Sequence, residues 1–313
     1  MTNLSEFTFL SSDGKTQLHG MLWEPEGVAV RAVLQICHGV AEHIARYDGF
    51  ARALNEQGIV VAGHDHLGHG KSLPEGGTPV YFGQGSTWNT VVDDIYILHQ
   101  RLKQRYPDVP LCIMGHSMGS FLTRTYLIRY PGTVKAAVIM GTGWQPQAAI
   151  TGGLALANAI AAVSGENATS ELVTELAFGS YNKLFAPNRT KADWLSADES
   201  NVDDYIADPL CGADATVGLF RQMLHGIRFN QRQSHLRQMD REMPVLFVAG
   251  DKDPVGNCGK GVRQTYDAFR AAGMRDCTLK LYPGLRHEIL NEKAYTADIT
   301  KNIEAWLLSR LEK

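Results

Sequence analysis

The chain has 313 residues, 44% of them hydrophobic, a length that allows a large core in one domain or in one domain carrying an insertion. Its 33 acidic residues nearly balance its 30 basic ones, so it has no general electrostatic attraction for nucleic acid or for an anionic membrane surface. We therefore expect a globular protein that acts on small neutral molecules and has no nucleic-acid partner.

The cysteine pattern and the N-terminal residues both bear on the cellular compartment. The five cysteines are odd in number, widely separated and without paired spacing, which indicates neither a disulfide framework nor a zinc cluster. Residues 1–14 include Glu6 and Asp13 and show neither a basic opening nor an apolar stretch of signal-peptide length. These features predict a cytoplasmic protein.

Short apolar, β-branched runs alternate along the chain with longer segments of helical period, a pattern typical of a parallel sheet with crossover helices. The predicted strands are 32–37, 59–62, 111–114, 136–140, 245–249 and 278–282. The predicted helices are 47–57, 90–106, 121–130, 262–272 and 297–311. The predicted fold class is α/β, with a mostly parallel sheet and helices on both faces.

One interval interrupts this alternation, because between about 143 and 239 only helix-like segments occur, separated by glycine, proline and polar clusters. We interpret 143–239 as a helical cap inserted into a core formed by 1–142 and 240–313. The uncharged stretch 136–165 could suggest a membrane span, but glycines and amides interrupt it, which favours a buried strand followed by a helix. Most large side chains of the cap are expected to form its own core rather than an acyl pocket: Trp144, Phe178, Tyr181, Phe185, Trp194, Tyr205, Phe220 and Met223.

Residues 115–119 place a serine between two glycines, directly after a predicted strand and before a predicted helix. In such a turn the serine has a strained backbone and its hydroxyl is exposed above the sheet, while the glycines let neighbouring chain pass. The pattern also arises by chance, so its context rather than the pattern alone makes Ser117 the candidate nucleophile.

A serine nucleophile needs a histidine that accepts its proton and a carboxylate that orients this histidine. Asp253 follows the fifth predicted strand and His287 the last, at the sheet edge where ligands bind in open α/β proteins. Together they give the order Ser, Asp, His that is typical of α/β hydrolases. Asp251 competes for the acid role, but we assign that role to Asp253 and expect Asp251 to brace the turn.

The tetrahedral intermediate of acyl transfer needs two fixed N–H donors for its oxyanion. The amide of Met118 directly follows the candidate nucleophile. The amide of Val40 lies just after the first predicted strand, where Gly39 lets the loop turn an N–H toward the site. We therefore predict that Val40 and Met118 form the oxyanion hole.

A metal site is the main alternative for the histidines after the second predicted strand. His64, His66 and His69 have the spacing of the metallo-β-lactamase motif. However, Gly68 stands where that motif needs an aspartate ligand and Asp65 is displaced, so we predict no metal site. Instead, we expect this loop to pack behind the oxyanion segment, with its histidines bonded to backbone or carboxylate groups.

Over roughly 15–311, several motifs in this order resemble the monoacylglycerol lipase and lysophospholipase group of serine α/β hydrolases. They are His38-Gly39-Val40-Ala41-Glu42-His43 with Arg46-Tyr47, Asp65-His66-Leu67-Gly68-His69-Gly70-Lys71-Ser72, Gly115-His116-Ser117-Met118-Gly119, Gly250-Asp251-Lys252-Asp253 and Arg286-His287-Glu288. The resemblance implies the α/β-hydrolase fold with a helical cap that shapes an acyl tunnel and can touch lipid. It also implies a catalysis that needs no metal or organic cofactor, with the site residues in the roles given above.

The prediction is a serine hydrolase that cleaves carboxylic esters through an acyl-enzyme, and the resemblance implies monoacylglycerols or lysophospholipids as substrates. The alternatives are a general carboxylesterase for short-chain or aryl esters, a peptidase or amidase, and a binding protein that kept the fold and lost catalysis. The expected partner is a small ester or lipid, with at most transient membrane-surface contact through the cap. The sequence assigns no oligomeric state.

Overall fold

The computed structural model describes residues 1–311, so the last two residues of the predicted core, 312–313, lie outside the described residues. Eight strands of the described chain form one sheet: β1 Thr2–Leu10, β2 Gln17–Pro25, β3 Ala32–Cys37, β4 Ile59–His64, β5 Leu111–His116, β6 Ala136–Met140, β7 Val245–Gly250 and β8 Cys277–Tyr282. Their order across the sheet is β1-β2-β4-β3-β5-β6-β7-β8. The pairs β1–β2 and β2–β4 are antiparallel and the other pairs are parallel, which confirms the predicted fold class.

All six predicted strands are present, but the N-terminal hairpin of β1 and β2 was not predicted. The prediction relied on continuous apolar runs, which mark strands buried on both faces of a parallel sheet. β1 lies at the edge of the sheet and is mostly exposed along its length, so its sequence contains no such run. β2 is mostly buried, but Gln17, His19 and Gly20 interrupt its apolar pattern.

The α-helices of the described residues are α1 Asp48–Asn55, α2 Trp88–Arg105, α3 Met118–Arg129, α4 Gln147–Ser164, α5 Glu171–Thr174, α6 Ser180–Lys183, α7 Glu199–Ala207, α8 Val217–Asn230, α9 Gln233–Leu236, α10 Lys260–Ala271 and α11 Thr296–Leu311. Side chains of α1 and α11 share one buried apolar cluster, and those of α2, α3, α8 and α10 share another. Successive strand residues alternate between the two clusters, as Val33 and Leu34 do, because side chains of a strand point to opposite faces. The central strands β3 to β7 are therefore buried on both faces.

Between β6 and β7, where every residue is described, the chain forms helices and one isolated bridge from Thr169 to Thr216. α8 packs on α3 and adds Leu219, Met223 and Ile227 to the main apolar cluster. We interpret this segment as the cap predicted over 143–239, with α8 seated on the core. α4 rests on α8, and it is long and apolar enough to cross a membrane by length and composition alone.

Candidate active site

Ser117 occupies the sharp turn between β5 and α3, with φ +54° and ψ −121°. Gly115 and Gly119 flank this turn, and neighbouring backbone lies too close to each of them for a side chain to fit. A Cβ on Gly115 would lie 2.2 Å from the Gly119 carbonyl oxygen, and a Cβ on Gly119 would lie 2.0 Å from the Cys37 carbonyl oxygen. The strain at a non-glycine residue with positive φ is the kind that clusters at active sites.

Asp253 and His287 form a buried pair at the carboxyl ends of β7 and β8. Asp253 Oδ1 lies 2.9 Å from His287 Nδ1, and the two side chains are 0% and 1% exposed. Asp253 Oδ1 also accepts the N–H of Val255 at 2.9 Å, which fixes the carboxylate. With its Nδ1 proton donated to Asp253, His287 keeps the Nε2 lone pair as a base, and no residue of 1–311 bonds to this nitrogen.

Asp251 has a different environment from Asp253. Its Oδ1 accepts the N–H of Gly284 at 2.8 Å in a partly exposed turn, so it braces the loop that precedes His287. The structure therefore brings Asp253, and not Asp251, to the imidazole.

The segment that carries the Val40 amide approaches the nucleophile closely. A Cβ on Gly39 would lie 3.1 Å from Ser117 Cβ, so this position has no room for a longer side chain. Val40, Ser117 and Met118 line one cavity together. After Val40, Ala41 has φ +53°, and its carbonyl accepts hydrogen bonds from the Gly212 N–H at 3.0 Å and the Tyr205 hydroxyl at 3.1 Å. Residues of the cap thus hold the strained turn that follows Val40.

A network of buried charges supports this segment, and the sequence analysis assigned its members no role. Glu42 Oε1 accepts the Gly39 N–H at 2.5 Å and faces His116 Nδ1 at 3.1 Å. Arg46 joins Glu42 to Glu288, at 3.0 Å and 2.6 Å. All these residues lie in the motifs quoted above. That shared location was the one feature of the sequence that could have indicated a functional role for them.

His116 is the link between this network and the predicted base. Its Nδ1 faces the Glu42 carboxylate, and its Nε2 faces the His287 carbonyl oxygen at 3.3 Å. Burial would lower the pKa of His116, but the hydrogen bond and the charge of Glu42 raise it. Since both ring nitrogens face acceptors, the geometry favours an imidazolium that donates on both sides.

Ser117 lies where two cavities of different character meet. The first, of about 480 Å³, has charged side chains among its lining residues, beside apolar ones, and we call it the polar cavity. The charged or titratable residues include Glu42, His116, Lys191, Cys211, Asp214, His287 and Glu288. The second, of about 360 Å³, has mostly apolar walls contributed by α3, the cap and α8. Both are also lined by Val40, Phe178 and Trp194.

The cap residues therefore do more than form a cap core, contrary to that part of the sequence analysis. Five of the eight large side chains named there line the apolar cavity: Phe178, Tyr181, Trp194, Phe220 and Met223. A sixth, Tyr205, lines the polar cavity. The Trp194 ring lies 5.1 Å from the His287 ring between centroids, so the cap contacts the predicted base directly.

His64, His66 and His69 lie with His38 in a buried cluster behind the oxyanion segment. The His38 and His66 rings are 4.2 Å apart between centroids, and His38 Nε2 accepts the His66 N–H at 2.9 Å. His69 Nδ1 faces the Leu67 carbonyl oxygen, but neither ring nitrogen of His64 or His66 has a hydrogen-bond partner within residues 1–311. Burial lowers the pKa of His64 to about 3 and that of His69 to about 4, so these rings are neutral near pH 7.

Comparison with known proteins identifies the family of this chain. A family model described as serine aminopeptidase, S33, matches residues 28–294. A monoacylglycerol lipase of Mycolicibacterium smegmatis is 31% identical over 98% of this chain and 98% of its own length. The monoglyceride lipase of Mus musculus is 28% identical over 96% of this chain and 90% of its own length.

Among solved structures, a thermostable carboxyl esterase from Bacillus coagulans, in complex with glycerol, matches with a TM-score of 0.92 and 26% identity, over 99% of this chain and 100% of that one. A lipase in an open form matches with a TM-score of 0.88 and 27% identity, over 99% of this chain and 100% of that one. The chain belongs to the S33 serine aminopeptidase family, within which it is an α/β hydrolase of the monoacylglycerol lipase group.

Proposed function

We propose that this protein hydrolyses monoacylglycerols through an acyl-enzyme formed on Ser117. The observation that carries the proposal is the position of Ser117 between an apolar cavity and a polar cavity. An ester of a fatty acid and glycerol has the same division, with its carbonyl carbon between a hydrocarbon chain and a hydroxylated group. Relatives named monoacylglycerol lipase, similar to this chain along nearly its full length, support the same substrate.

In the proposed mechanism, Ser117 Oγ attacks the ester carbonyl while His287 Nε2 takes its proton. Asp253 holds the Nδ1 proton and stabilises the imidazolium that forms. The N–H groups of Met118 and Val40 donate to the oxyanion, and His287 then protonates the departing glycerol oxygen. Water, activated by the same histidine, releases the fatty acid and restores the serine. In each of these steps His287 is the group that accepts or donates the proton.

The charges of the polar cavity favour glycerol over a phosphate-bearing headgroup. The buried charged residues that line this cavity include Glu42 and Glu288. The buried cations beside them, Arg46 and the His116 imidazolium, are already paired with these carboxylates, and Lys191, which also lines the cavity, is exposed to solvent. A lysophospholipid would bring its phosphate toward these carboxylates, and like charges in a partly dry site repel strongly. We therefore place monoacylglycerols before lysophospholipids.

The exposed apolar surface of the cap supports transient contact with lipid surfaces, which is the finer part of the proposal. Val163 is 88% exposed and Leu176 is 66% exposed, and Leu172 and Leu184 also face solvent. All four lie in the part of the cap that runs from α4 to the residue after α6. A patch of this kind fits reversible contact with the surface where the substrate resides. The five free cysteines support our proposal that the protein works in the reducing cytoplasm.

The test is hydrolysis of p-nitrophenyl esters of graded chain length, of monoacylglycerol and of lysophosphatidylcholine by the wild type and by Ser117→Ala. A fluorophosphonate probe, which labels activated serines, is run alongside. We expect labelling that depends on Ser117, highest kcat/KM on medium or long chains, and monoacylglycerol preferred over lysophosphatidylcholine. A preference for acetate or butyrate would support the general carboxylesterase instead, and a folded protein without labelling or turnover would contradict catalysis by this site.

A further inference from the structure

A second group of reactive side chains lies beside the polar cavity, where the cap meets the oxyanion segment. The imidazole of His43, the carboxylate of Asp208 and the thiol of Cys211 each offer one donor atom, and these atoms lie within 4.8 Å of one another. His43 belongs to the loop after β3, whereas the other two follow α7 in the cap. The His43 side chain is 9% exposed and that of Asp208 is 29% exposed. The cluster is thus largely withdrawn from solvent.

The local hydrogen bonds fix the directions of the donors. Asp208 Oδ1 accepts the Leu210 N–H at 2.9 Å, which leaves Oδ2 facing His43 Nε2 at 2.8 Å. The Cys211 N–H donates to the Asp208 carbonyl oxygen at 3.0 Å, closing a turn that brings thiol and carboxylate near each other.

Other bonds hold the two chain segments together at this point. The Gly212 N–H and the Tyr205 hydroxyl both donate to the Ala41 carbonyl oxygen, two residues before His43. Because the segments are already joined, a ligand of the cluster would have to order little of the chain.

The electrostatic surroundings also suit a cation. Arg46 lies over the Tyr205 ring, 5.0 Å from its centroid, and is the positive group that flanks the cluster. Its charge is shared by the carboxylates of Glu42 and Glu288. With Asp208 included, three carboxylates face the two positive charges of Arg46 and the His116 imidazolium, so the group carries a net negative charge.

We propose that His43, Asp208 and Cys211 form a binding site for a divalent thiophilic cation, Zn²⁺ by the nature of its donors, with water as the fourth ligand. Imidazole nitrogen, thiolate sulfur and carboxylate oxygen are the ligand types that Zn²⁺ takes, and three protein ligands plus water is a common set. Cys211 also lines the polar cavity, from which water can reach the ion.

Binding removes the proton of one ligand and fixes the tautomer of another. Cys211 releases its proton to solvent and binds as a thiolate, while the imidazole proton of His43 is carried on Nδ1 so that Nε2 donates its lone pair to the ion. One proton is therefore released for each ion bound. The ion would tie the turn at 208–212 to the segment at 41–43 and hold the cap against the oxyanion segment, so we expect Zn²⁺ to slow turnover reversibly.

The test is a titration of the full-length protein with Co²⁺, a spectroscopic substitute for Zn²⁺, followed by the thiolate-to-cobalt charge-transfer absorption. We expect one equivalent of Co²⁺ to bind, the band to be absent in Cys211→Ser, and Zn²⁺ to displace the cobalt. Asp208→Asn should weaken binding at least about tenfold and gives a second reading if Cys211→Ser does not fold. Cys258→Ser removes a free, exposed cysteine outside the cluster and should leave the band unchanged.

His287→Ala separates this site from the proposed catalytic base, because the cobalt band should persist in that variant. The proposal would be overturned by a folded wild type without a thiolate band, by a band that survives Cys211→Ser, or by a band lost in Cys258→Ser or His287→Ala. None of these readings uses ester hydrolysis, so they stand apart from the test of the proposed function.

Discussion

The two cavities that meet at Ser117 are built in different ways. In the polar cavity, Glu42 and Glu288 are fixed by directional bonds to Arg46 and His116. In the apolar cavity, the walls are carbon surfaces of helices, with glycines on α4 where other residues would reduce its volume. Directional bonds between charges tolerate little displacement, whereas apolar walls can change in size without losing a bond. Substitutions on the polar side should therefore alter the rate for all esters, and those on the apolar side should alter the choice of acyl chain.

The largest effect is expected where the cavities join, at the carboxylate that orients His287. Asp253→Asn should lower kcat by about 10⁴-fold on short and long esters alike, because the neutral amide lacks the negative charge that stabilises the imidazolium formed on His287. Asp251→Asn, the matched control, removes only a turn-bracing acceptor and should cost less than about tenfold. The measurement is kcat for both variants on p-nitrophenyl butyrate and a long-chain ester, beside Ser117→Ala as the inactive reference. The assignment of the acid would be wrong if the two aspartate variants ranked in the opposite order.

The polar cavity can be tested alone with Glu42→Gln. This change leaves His116 without its buried carboxylate partner and Arg46 with Glu288 alone, so the free energy of unfolding should fall by about 3 kcal/mol. It also loosens the Gly39 N–H, and a displacement of the oxyanion segment can cost as much as about 10²-fold in kcat. The rate loss should be equal for all chain lengths, since Glu42 does not line the apolar cavity.

Glu24→Gln is the control for this variant, because Glu24 pairs with the half-exposed Arg105 at 2.8 Å, away from both cavities. It should cost less than about 1 kcal/mol in urea unfolding and leave kcat unchanged. A selective loss of long-chain activity in Glu42→Gln would contradict the separation of the two cavities.

The core half of the site was predictable from sequence for a physical reason. Ser117 and Asp253 each follow a strand that is buried on both faces, and such strands produce apolar runs that are easily located. His287 follows the half-buried edge strand β8, which still alternates apolar and polar residues. Parallel topology then places the carboxyl ends of these strands at one edge. The structure brings Asp253 to His287 as this logic requires, and Val40 and Met118 to the cavity at Ser117.

The other half was less predictable because tertiary contacts alone reveal it. Trp194 and Phe178 are large aromatic residues of the kind that usually form a core. Their placement over the site depends on how the cap folds back onto the strand ends. Arg46 lies four residues from Glu42 but 242 residues from Glu288, so no local spacing indicates the link to Glu288. The expectation that His64 and His66 bond to neighbours was wrong, since their ring nitrogens have no partner within residues 1–311.

These unpartnered histidines predict acid sensitivity of the core behind the polar cavity. His64 has its pKa lowered to about 3 by burial, whereas the unfolded chain takes up this proton near pH 6.5. The unfolded state therefore binds more protons as the pH falls below about 6.5, and the free energy of unfolding decreases until about pH 3. At pH 5 the loss from one such histidine is about 2 kcal/mol.

The measurement is urea unfolding of the wild type and His64→Leu between pH 7.5 and pH 5, a range chosen to span about 6.5. The leucine does not titrate and contacts the apolar Phe9 ring that now lies 5.3 Å from the imidazole. The free energy of unfolding should fall less steeply with decreasing pH in the variant than in the wild type. In the acid part of the range the two slopes should differ by about 1.4 kcal/mol per pH unit. Parallel curves for the two proteins would show that His64 is not the group that titrates.

The smallest effect is expected on the apolar side, where Gly152→Leu should change selectivity rather than rate. Gly152 lines the apolar cavity on α4, and a Cβ there would meet no atom within 4 Å, so the new side chain can enter the space we assign to the acyl chain. We expect kcat/KM to fall about tenfold for long-chain esters, the effect of losing room for one or two methylenes, and less than twofold for butyrate.

Thr151→Leu places the same side chain one residue earlier on α4. Thr151 is exposed, as Gly152 is, but only Gly152 lines the apolar cavity. Comparing the two variants across the graded ester series separates cavity filling from the general effect of a more apolar cap surface. If both variants lost long-chain activity equally, the acyl chain would depend on the outer surface of α4 rather than on the cavity. If Gly152→Leu alone lost it, the chain-length limit would lie in the wall formed by α4, while the polar side kept the rate on short esters.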